Sequence, residues 1–261
     1  MLIDAHAHLS HGKLFQQADA AVARAQAAGV GAILCAAGDV REAKTALGLA
    51  RRIPCVFCTA GVHPHEAKHA SEGFLSRIED LLKQPECLAL GEIGLDYHYD
   101  FSPRDVQRRV FAEQLALAAR LDCPVVIHTR EAFDDTMILL AESGVDGGRV
   151  VFHSFTGGPD EAGRVLNFGA TLSFSGIATF KNAADIHRAV LLTPDDRILV
   201  ETDCPYLSPE PVRNMKINEP ANVVHVARRL AELRGCDFET FARQTTQNAL
   251  GLFEGLTVEN E

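Results

Sequence analysis

The sequence lacks any long apolar run. Although 47% of its 261 residues are hydrophobic, no stretch approaches the ~20 residues that a membrane-spanning helix requires. Asp4 stands where a secretion signal needs basic and then apolar residues, so we expect no signal peptide. The composition is that of a globular protein with a sizeable core, and we expect no membrane partner.

A cysteine framework and an excess of positive charge are missing as well. The seven cysteines show no framework spacing, which favours a reducing compartment and a cytoplasmic location. We interpret the CxxC of Cys55 and Cys58 as structural. The net charge of −10 argues against broad electrostatic binding to duplex DNA. It remains compatible with an enzyme that binds a phosphate through metal ions and a few local arginines.

The chain also lacks a linker rich in proline or glycine, a low-complexity run and an internal repeat. We therefore predict a single domain over residues 1–261. Short apolar runs, typical of strands buried on both faces, alternate with helical patterns. The predicted strands cover residues 2–9, 31–37, 55–62, 87–94, 124–130, 149–155, 170–177 and 197–203. The predicted helices cover residues 15–28, 41–53, 71–84, 103–121, a segment through 137–140, 160–168, 222–234 and 238–253.

Eight strands alternating with helices in about 250 residues predict an α/β fold, a closed (β/α)8 TIM barrel. An open, doubly wound sheet is the structural alternative. The first strand-to-helix turn lacks the GxGxxG phosphate loop typical of that alternative.

The first predicted strand ends in His6 and His8. Residues i and i+2 of a strand project from the same face, so these two imidazoles can converge on one point. Such a pair forms half of a site for a divalent transition metal. Alternatively, the two histidines are polar residues that merely finish a strand.

More polar residues interrupt the apolar strands at their carboxyl ends. They are Glu92, His128, His153 and Asp203, in strands four, five, six and eight. In a barrel these ends share one rim, where active sites are built. Alternation places His128 on the face of Val126, His153 on that of Val151, and Asp203 on that of Glu201.

Each of these residues alone has a structural interpretation. A single buried histidine is more often a hydrogen-bonded residue than a metal ligand. Glu92 or Asp203 could cap a helix or pair with an arginine. Glu201 is more consistent with a structural or second-layer role than with catalysis. Six such residues on one rim are harder to explain, because every buried charge needs a partner. Four histidines and two carboxylates exceed one tetrahedral site and suit two ions that share a carboxylate. The pattern predicts a metal-dependent hydrolytic site.

Five segments, in this order, resemble the TatD family of metal-dependent hydrolases within the amidohydrolase superfamily. They are LIDAHAHL (2–9), GEIGLD (91–96), PVVIHTR (124–130), FHSFTG (152–157) and ETDCPY (201–206). With the closing TTQNALGLF (245–253), the resemblance covers essentially the whole chain. It implies a (β/α)8 barrel and an activity associated with deoxyribonucleases, including 3′→5′ exonucleases.

The resemblance also implies roles for individual residues. His6 and His8 would bind one divalent ion, His128 and His153 the other, and Glu92 would bridge them; Mg²⁺, Mn²⁺ and Zn²⁺ are the candidate ions. Asp203 would bind an ion and orient or deprotonate the attacking water.

Two further residues are candidates for contact with the substrate. By resemblance, His65 would contact the phosphate or the leaving group at the pocket's edge, and His63 is the less certain of the two. Arg130, two residues after His128, is placed to neutralise phosphate charge, with a salt bridge to a rim carboxylate as the alternative. We interpret the other histidines as surface or structural residues: His11, His69, His98, His187 and His225.

The chain departs from the family pattern at two positions. Ser10 stands where the family often has an acidic or amide residue, and Ile217 stands where an arginine often precedes Asn-Glu-Pro. Arg213 or Lys216 could replace that arginine. Both departures concern the identity of the substrate rather than the metal chemistry.

The sequence leaves three functions to compare. We expect DNA ends or single strands as substrate, with no obligate protein partner. Hydrolysis of small esters, amides or aminoacyl bonds is the alternative within enzymes, because the same ions polarise carbonyl groups. A non-catalytic, metal-stabilised binding scaffold is the third, although stability alone does not require six ligands on the catalytic rim.

Overall fold

The computed structural model describes residues 1–258. Its eight strands form one parallel sheet in sequential order, surrounded by helices, and the TIM barrel predicted from the sequence is confirmed. The strands are β1 (Leu2–Ala7), β2 (Val30–Cys35), β3 (Val56–Ala60), β4 (Cys87–Asp96), β5 (Val125–Arg130), β6 (Val150–Phe152), β7 (Thr171–Phe174) and β8 (Ile198–Val200). No helix in residues 1–258 is long and apolar enough to cross a membrane.

The helices lie on the outer face of the sheet. They are α1 (Gly12–Phe15), α2 (Ala18–Ala27), α3 (Val40–Arg52), α4 (Phe74–Leu82), α5 (Arg104–Leu121), α6 (Phe133–Ser143), α7 (Pro159–Phe168), α8 (Ala184–Leu192), α9 (Val223–Arg234) and α10 (Phe238–Leu252). Short 3₁₀ turns cover Pro64–His69, Gly147–Arg149, Gly176–Thr179, Asp195–Arg197 and Pro220–Asn222. Two helices, α1 and α8, were not predicted from the sequence.

The two ends of the sheet meet beside the predicted site. The backbone N–H of Asp203, just after β8, donates to the carbonyl of His6 at 2.9 Å. The N–H of His8 donates to the carbonyl of Cys204 at 2.7 Å. These bonds bring the segment after β8 next to the end of β1, so Asp203 and the two histidines share one region of the rim.

The core has two parts. A large cluster packs the helices against the outside of the sheet. A smaller one lines the barrel interior with inward residues of the strands. The end of α10 and Phe253, the residue after it, close the interior opposite the rim. The members from seven of the strands are Ile3, Ala5, Ala32, Leu34, Phe57, Leu88, Ala89, Val126, Val151 and Leu199. The interior is therefore a packed core below the rim, not a channel.

In two strands, the alternation of inward and outward side chains is reversed before the strand reaches the rim. In β1, Ala5 packs inside the barrel and Ala7 outside it, and the register with β2 shifts between Asp4 and Ala7. In β4, the register with β5 shifts between Leu90 and Ile93. Irregularities of this kind re-aim side chains, and here they direct the side chains of His6 and Glu92 into the barrel.

Gly94 allows β4 and β5 to approach each other near the site. Its φ is +144°, and a Cβ atom added there would lie 1.9 Å from the carbonyl oxygen of His128. Any other residue would clash with the β5 backbone and would also be strained. This glycine permits Glu92 and Asp96, on either side of it, to face His128.

Candidate metal centre

The first group of converging side chains comprises His6, His8, Glu92 and Asp203, which we call cluster 1. The Nε2 atoms of His6 and His8 lie 3.2 Å apart. Glu92 Oε2 lies 3.4 Å from His6 Nε2, and Asp203 Oδ1 lies 3.4 Å from His8 Nε2. The remaining histidine–carboxylate distances are 3.7 and 3.9 Å. His6, His8 and Asp203 each have a ligand atom within 4.8 Å of the other two, and Glu92 Oε2 lies beside both histidines.

The second group, cluster 2, forms around the other oxygen of Glu92. Glu92 Oε1 lies 2.8 Å from His153 Nε2, 2.9 Å from His128 Nδ1 and 3.4 Å from His63 Nε2. His128 Nδ1 and His153 Nε2 are 3.3 Å apart. Each oxygen of Glu92 therefore faces a separate set of histidine nitrogens.

The spacing within cluster 1 fits a divalent metal ion. Ligand atoms at 2.0–2.2 Å around a tetrahedral ion lie roughly 3.3–3.6 Å from one another, close to the distances in cluster 1. Glu92 is only 2% exposed and His6 only 1%, so water cannot satisfy their polar atoms. One cation in each cluster would satisfy imidazole nitrogens and carboxylates together.

Glu201 holds His153 in this arrangement. Its Oε1 lies 3.2 Å from His153 Nδ1 and accepts the backbone N–H of Ser154 at 2.8 Å, while Oε2 accepts the hydroxyl of Ser173. Burial disfavours a charged His153, but the negative charge of Glu92 and the bond to Glu201 outweigh it and raise the pKa of His153 well above its usual value. Glu201 is fully buried and contacts the ring nitrogen of His153 opposite the one that faces Glu92.

Asp96 is a site residue to which the sequence assigned no role. Its Oδ2 lies 2.9 Å from His65 Nε2 and 3.1 Å from His128 Nε2, and its Oδ1 accepts the N–H groups of His98 and Tyr99, both at 3.0 Å. Burial favours the neutral acid, yet the bonds from His128 and His65 lower its pKa below the usual value. The sequence contains one indication of this role, because Asp96 follows Glu92 by an even number of residues in the same strand.

His63 lies deeper in the site than the sequence indicated. Its Nδ1 accepts the backbone N–H of His65 at 3.1 Å, which leaves Nε2 facing Glu92. Burial lowers the pKa of His63 to about 4. His65 lies one ring further out, against His63 at 4.4 Å between centroids, with a quarter of its side chain exposed. His65 is therefore the more exposed of the two histidines.

Asp203 has an unusual backbone conformation. Its φ is +53°, in the left-handed region that aspartate and asparagine tolerate better than most residues. Burial favours its neutral form, but the bond with His8 and the charges of His153 and His8 lower its pKa below the usual value. The turn at Asp203 directs its carboxylate toward cluster 1.

The comparisons with known proteins identify the family of the chain. The model of the family described as TatD related DNase matches residues 3–254. The chain belongs to the TatD family. It is therefore a metal-dependent hydrolase that acts on ester bonds.

Individual relatives cover nearly the whole chain. The uncharacterized metal-dependent hydrolase YabD of Bacillus subtilis is 38% identical over 253 residues, which are 97% of this chain and 99% of YabD. The 3′-5′ ssDNA/RNA exonuclease TatD of Salmonella typhimurium is 34% identical over 257 residues, again 97% of this chain and 99% of the relative. The crystal structure of the TatD homologue YJJV of Escherichia coli superposes with a TM-score of 0.91 at 28% identity and covers 97% of each chain.

Next to the ligand clusters of this TatD family member lies an open groove of about 740 Å³. It runs from His153 and Ser154 to Arg130 and Arg164, with acidic Asp134 on its wall. Arg130 is exposed, and its guanidinium lies over the ring of Tyr99, 4.8 Å from the centroid. Arg130 therefore lines the groove as an exposed cation.

The two departures from the family pattern lie close to the site. Ser10 donates a hydrogen bond to Glu42 at 3.1 Å. Ile217 is half-buried and packs against the main core. The following Asn218 is fully buried and donates to the carbonyls of Thr202 at 3.1 Å and Tyr206 at 2.7 Å. Asn218 therefore holds the loop that carries Asp203.

Candidate replacements for the missing arginine lie further along the same loop. Arg213 covers the ring of Phe180, 3.9 Å from its centroid, and lies 3.7 Å from Glu210. Its guanidinium is thus engaged with its own neighbours, whereas Lys216 is exposed.

Proposed function

We propose that this TatD family member binds two divalent ions and removes nucleotides from the 3′ ends of single-stranded nucleic acid. The observation that carries the proposal is the position of Glu92, which presents one carboxylate oxygen to each of two histidine clusters. The ligands come from segments between β1 and the end of β8. We accordingly propose that residues 1–261 act as one domain.

The ligands divide between the ions according to the clusters. His6, His8 and Asp203 would hold the first ion, His128 and His153 the second, and Glu92 both. His63, 3.4 Å from Glu92 Oε1, is an additional ligand candidate for the second. When bound, a pair of such ions lowers the pKa of a coordinated water and neutralises the charge of a phosphodiester.

The side chains of the chain itself would perform the remaining steps. Asp203 accepts the proton of the attacking water, since its carboxylate has a second oxygen besides the one that faces His8. Asp96 and Glu201 keep His128 and His153 in their orientation through the opposite ring nitrogens. His65, fixed by Asp96, contacts the phosphate or the leaving group, and Arg130 supplies a positive charge at the pocket's edge.

Charge and shape favour chain ends over the middle of a duplex. The proposed ligands are largely buried, with side-chain exposures of 18% or less. A rigid duplex needs a broad positive surface that a protein of net charge −10 does not offer. Two relatives' names are consistent with this, because the TatD proteins of Salmonella typhimurium and Enterobacter lignolyticus are both called 3′-5′ ssDNA/RNA exonucleases.

The test uses metal-depleted protein to which Mg²⁺, Mn²⁺ or Zn²⁺ is returned. The substrates are a 5′-labelled single strand, the same strand in a blunt duplex, and a covalently closed duplex. We expect a ladder of products from the single strand, little cleavage of the closed duplex, and loss of activity when EDTA is added. Internal nicking of the closed duplex would contradict the exonuclease, and brisk ester hydrolysis without nuclease activity would favour a small-molecule hydrolase.

A further inference from the structure

Exposed aromatic side chains are confined to one end of the barrel. In residues 1–258 four of them are exposed, namely Phe15 (45%), Tyr99 (48%), Phe101 (54%) and Tyr206 (49%). All four lie in segments that follow the carboxyl ends of β1, β4 or β8. Within residues 1–258 the opposite end of the barrel exposes none, and Phe15, at the end of α1 next to the rim, is the one of the four rings that lies in a helix. This distribution points to a ligand at the rim.

Two of the four rings form a stacked pair beside the pocket. Tyr99 and Phe101 have centroids 5.1 Å apart and planes inclined by 14°. The ring of His65 lies edge-on to both, 4.7 Å from Phe101 and 5.5 Å from Tyr99. His65 in turn lies 6.2 Å from His128 of cluster 2. The pair is therefore one imidazole away from the ligand clusters.

The pair is also anchored to the site by a buried carboxylate. Asp96 accepts the backbone N–H of Tyr99 through Oδ1 and faces His65 and His128 through Oδ2. The guanidinium of Arg130 lies over the ring of the same residue, Tyr99. Two flat apolar rings and a cation are thus held at a fixed position relative to the metal ligands.

We propose that Tyr99 and Phe101 form a platform on which an unpaired nucleobase of the substrate stacks while Arg130 contacts its phosphate. This inference rests on the proposed nuclease function and adds the residues that recognise the substrate. Stacking on aromatic rings tolerates any base, because every base has a π-face. A base held in a duplex cannot present that face, so the platform selects single strands.

The test compares a complete oligonucleotide with one that carries an abasic residue at one of the three 3′-terminal positions. Loss of one stacked base should lower kcat/KM of the wild-type enzyme about 5- to 100-fold at one of these positions. Phe101→Ala and Tyr99→Ala should cleave the complete strand as slowly as the abasic one, with the abasic rate unchanged. Tyr99→Phe should retain the preference, and so should Phe15→Ala, which removes an exposed ring elsewhere on the rim.

The outcomes separate this inference from the nuclease function. If the wild-type enzyme cleaves both oligonucleotides equally well, the platform is wrong and the nuclease function stands. A preference abolished by Tyr206→Ala instead of Phe101→Ala would also overturn it. If neither strand is cleaved, the nuclease function fails, and binding then tests the platform by fluorescence anisotropy of Asp203→Asn with both strands. Equal affinity for the two strands would overturn the platform. Tighter binding of the complete strand, lost when Phe101→Ala is added, would support it.

Discussion

Two parts of the site differ in how their side chains are held. The floor consists of the buried residues around the two ligand clusters, and the outer rim consists of the exposed residues on or beside the surrounding loops. On the floor, Glu92 and Asp96 are buried and each contacts two or more histidines. On the rim, Phe101 and Arg130 are exposed and lie on or beside loops. Strand ends thus fix the reacting groups, whereas loops offer surfaces for the substrate, as in other barrels. The comparison predicts that changes on the floor affect rate and metal binding, and that changes on the rim affect substrate preference.

Glu92→Gln tests the floor most severely. An amide cannot present a negative oxygen to both clusters, so we expect fewer than two ions per chain and a loss of activity exceeding the ~100-fold that a supporting residue costs. Elemental analysis and kcat on a single-stranded oligonucleotide measure both effects. Glu131→Gln is the matched control, because this exposed carboxylate bonds with His98, a histidine outside both clusters, at 2.6 Å. This variant should leave both values unchanged.

Asp203→Asn separates proton transfer from folding. Asparagine tolerates the left-handed backbone at this position but cannot accept a proton from water, so kcat should fall about 100- to 10,000-fold. The circular dichroism spectrum should remain that of the wild type. Full kcat with both metals bound would show that Asp203 is not the base.

Asp96→Asn tests whether the floor is organised by a residue that binds no ion itself. The amide would present N–H groups to His65 or His128, and we expect affinity for the second ion to fall about 10- to 100-fold while the first binds normally. Calorimetric titration of metal-depleted protein distinguishes the two ions. Asp135→Asn, which removes a groove carboxylate bonded to Tyr97 at 2.6 Å, serves as control. Equal weakening of both ions would contradict this role for Asp96.

Arg130→Gln should have the smallest effect and should appear on the rim alone. Loss of one phosphate contact should raise KM a few-fold, leave kcat and metal content unchanged, and reduce the log–log slope of KM against salt by about 0.7 for a single strand. The wild-type slope itself should correspond to two phosphate contacts or fewer. An unchanged slope would show that Arg130 does not touch the substrate phosphate.

Most of the site could be predicted because three strands keep a regular alternation up to the rim. Counting every second residue predicts which side chains face the interior in these strands. The inward pairs are Val126 and His128, Val151 and His153, and Leu199 and Glu201. In β1 and β4 the register shifts reverse that alternation. Ile3 and Ala5 face inward together with His6, which no count of alternating residues could predict.

The sequence was less informative about loops and about residues that act through others. Helix α8 was missed, although Ile186, Ala189 and Val190 are buried at helical spacing, because a polar and small-residue segment separates it from β7. Asp96 was recognised only as part of a motif, since its role depends on contacts with His65 and His128 that arise from three separate segments. Contacts of this kind require the folded chain.

The central claim is that one carboxylate, Glu92, lies between two metal ions. The direct measurement is a crystal structure of the Mn²⁺-loaded protein with anomalous scattering. The account predicts two peaks per chain about 3.5–4 Å apart, one beside His6 and His8 and one beside His128 and His153, with an oxygen of Glu92 directed at each. A single peak, or two peaks that share no ligand, would contradict it.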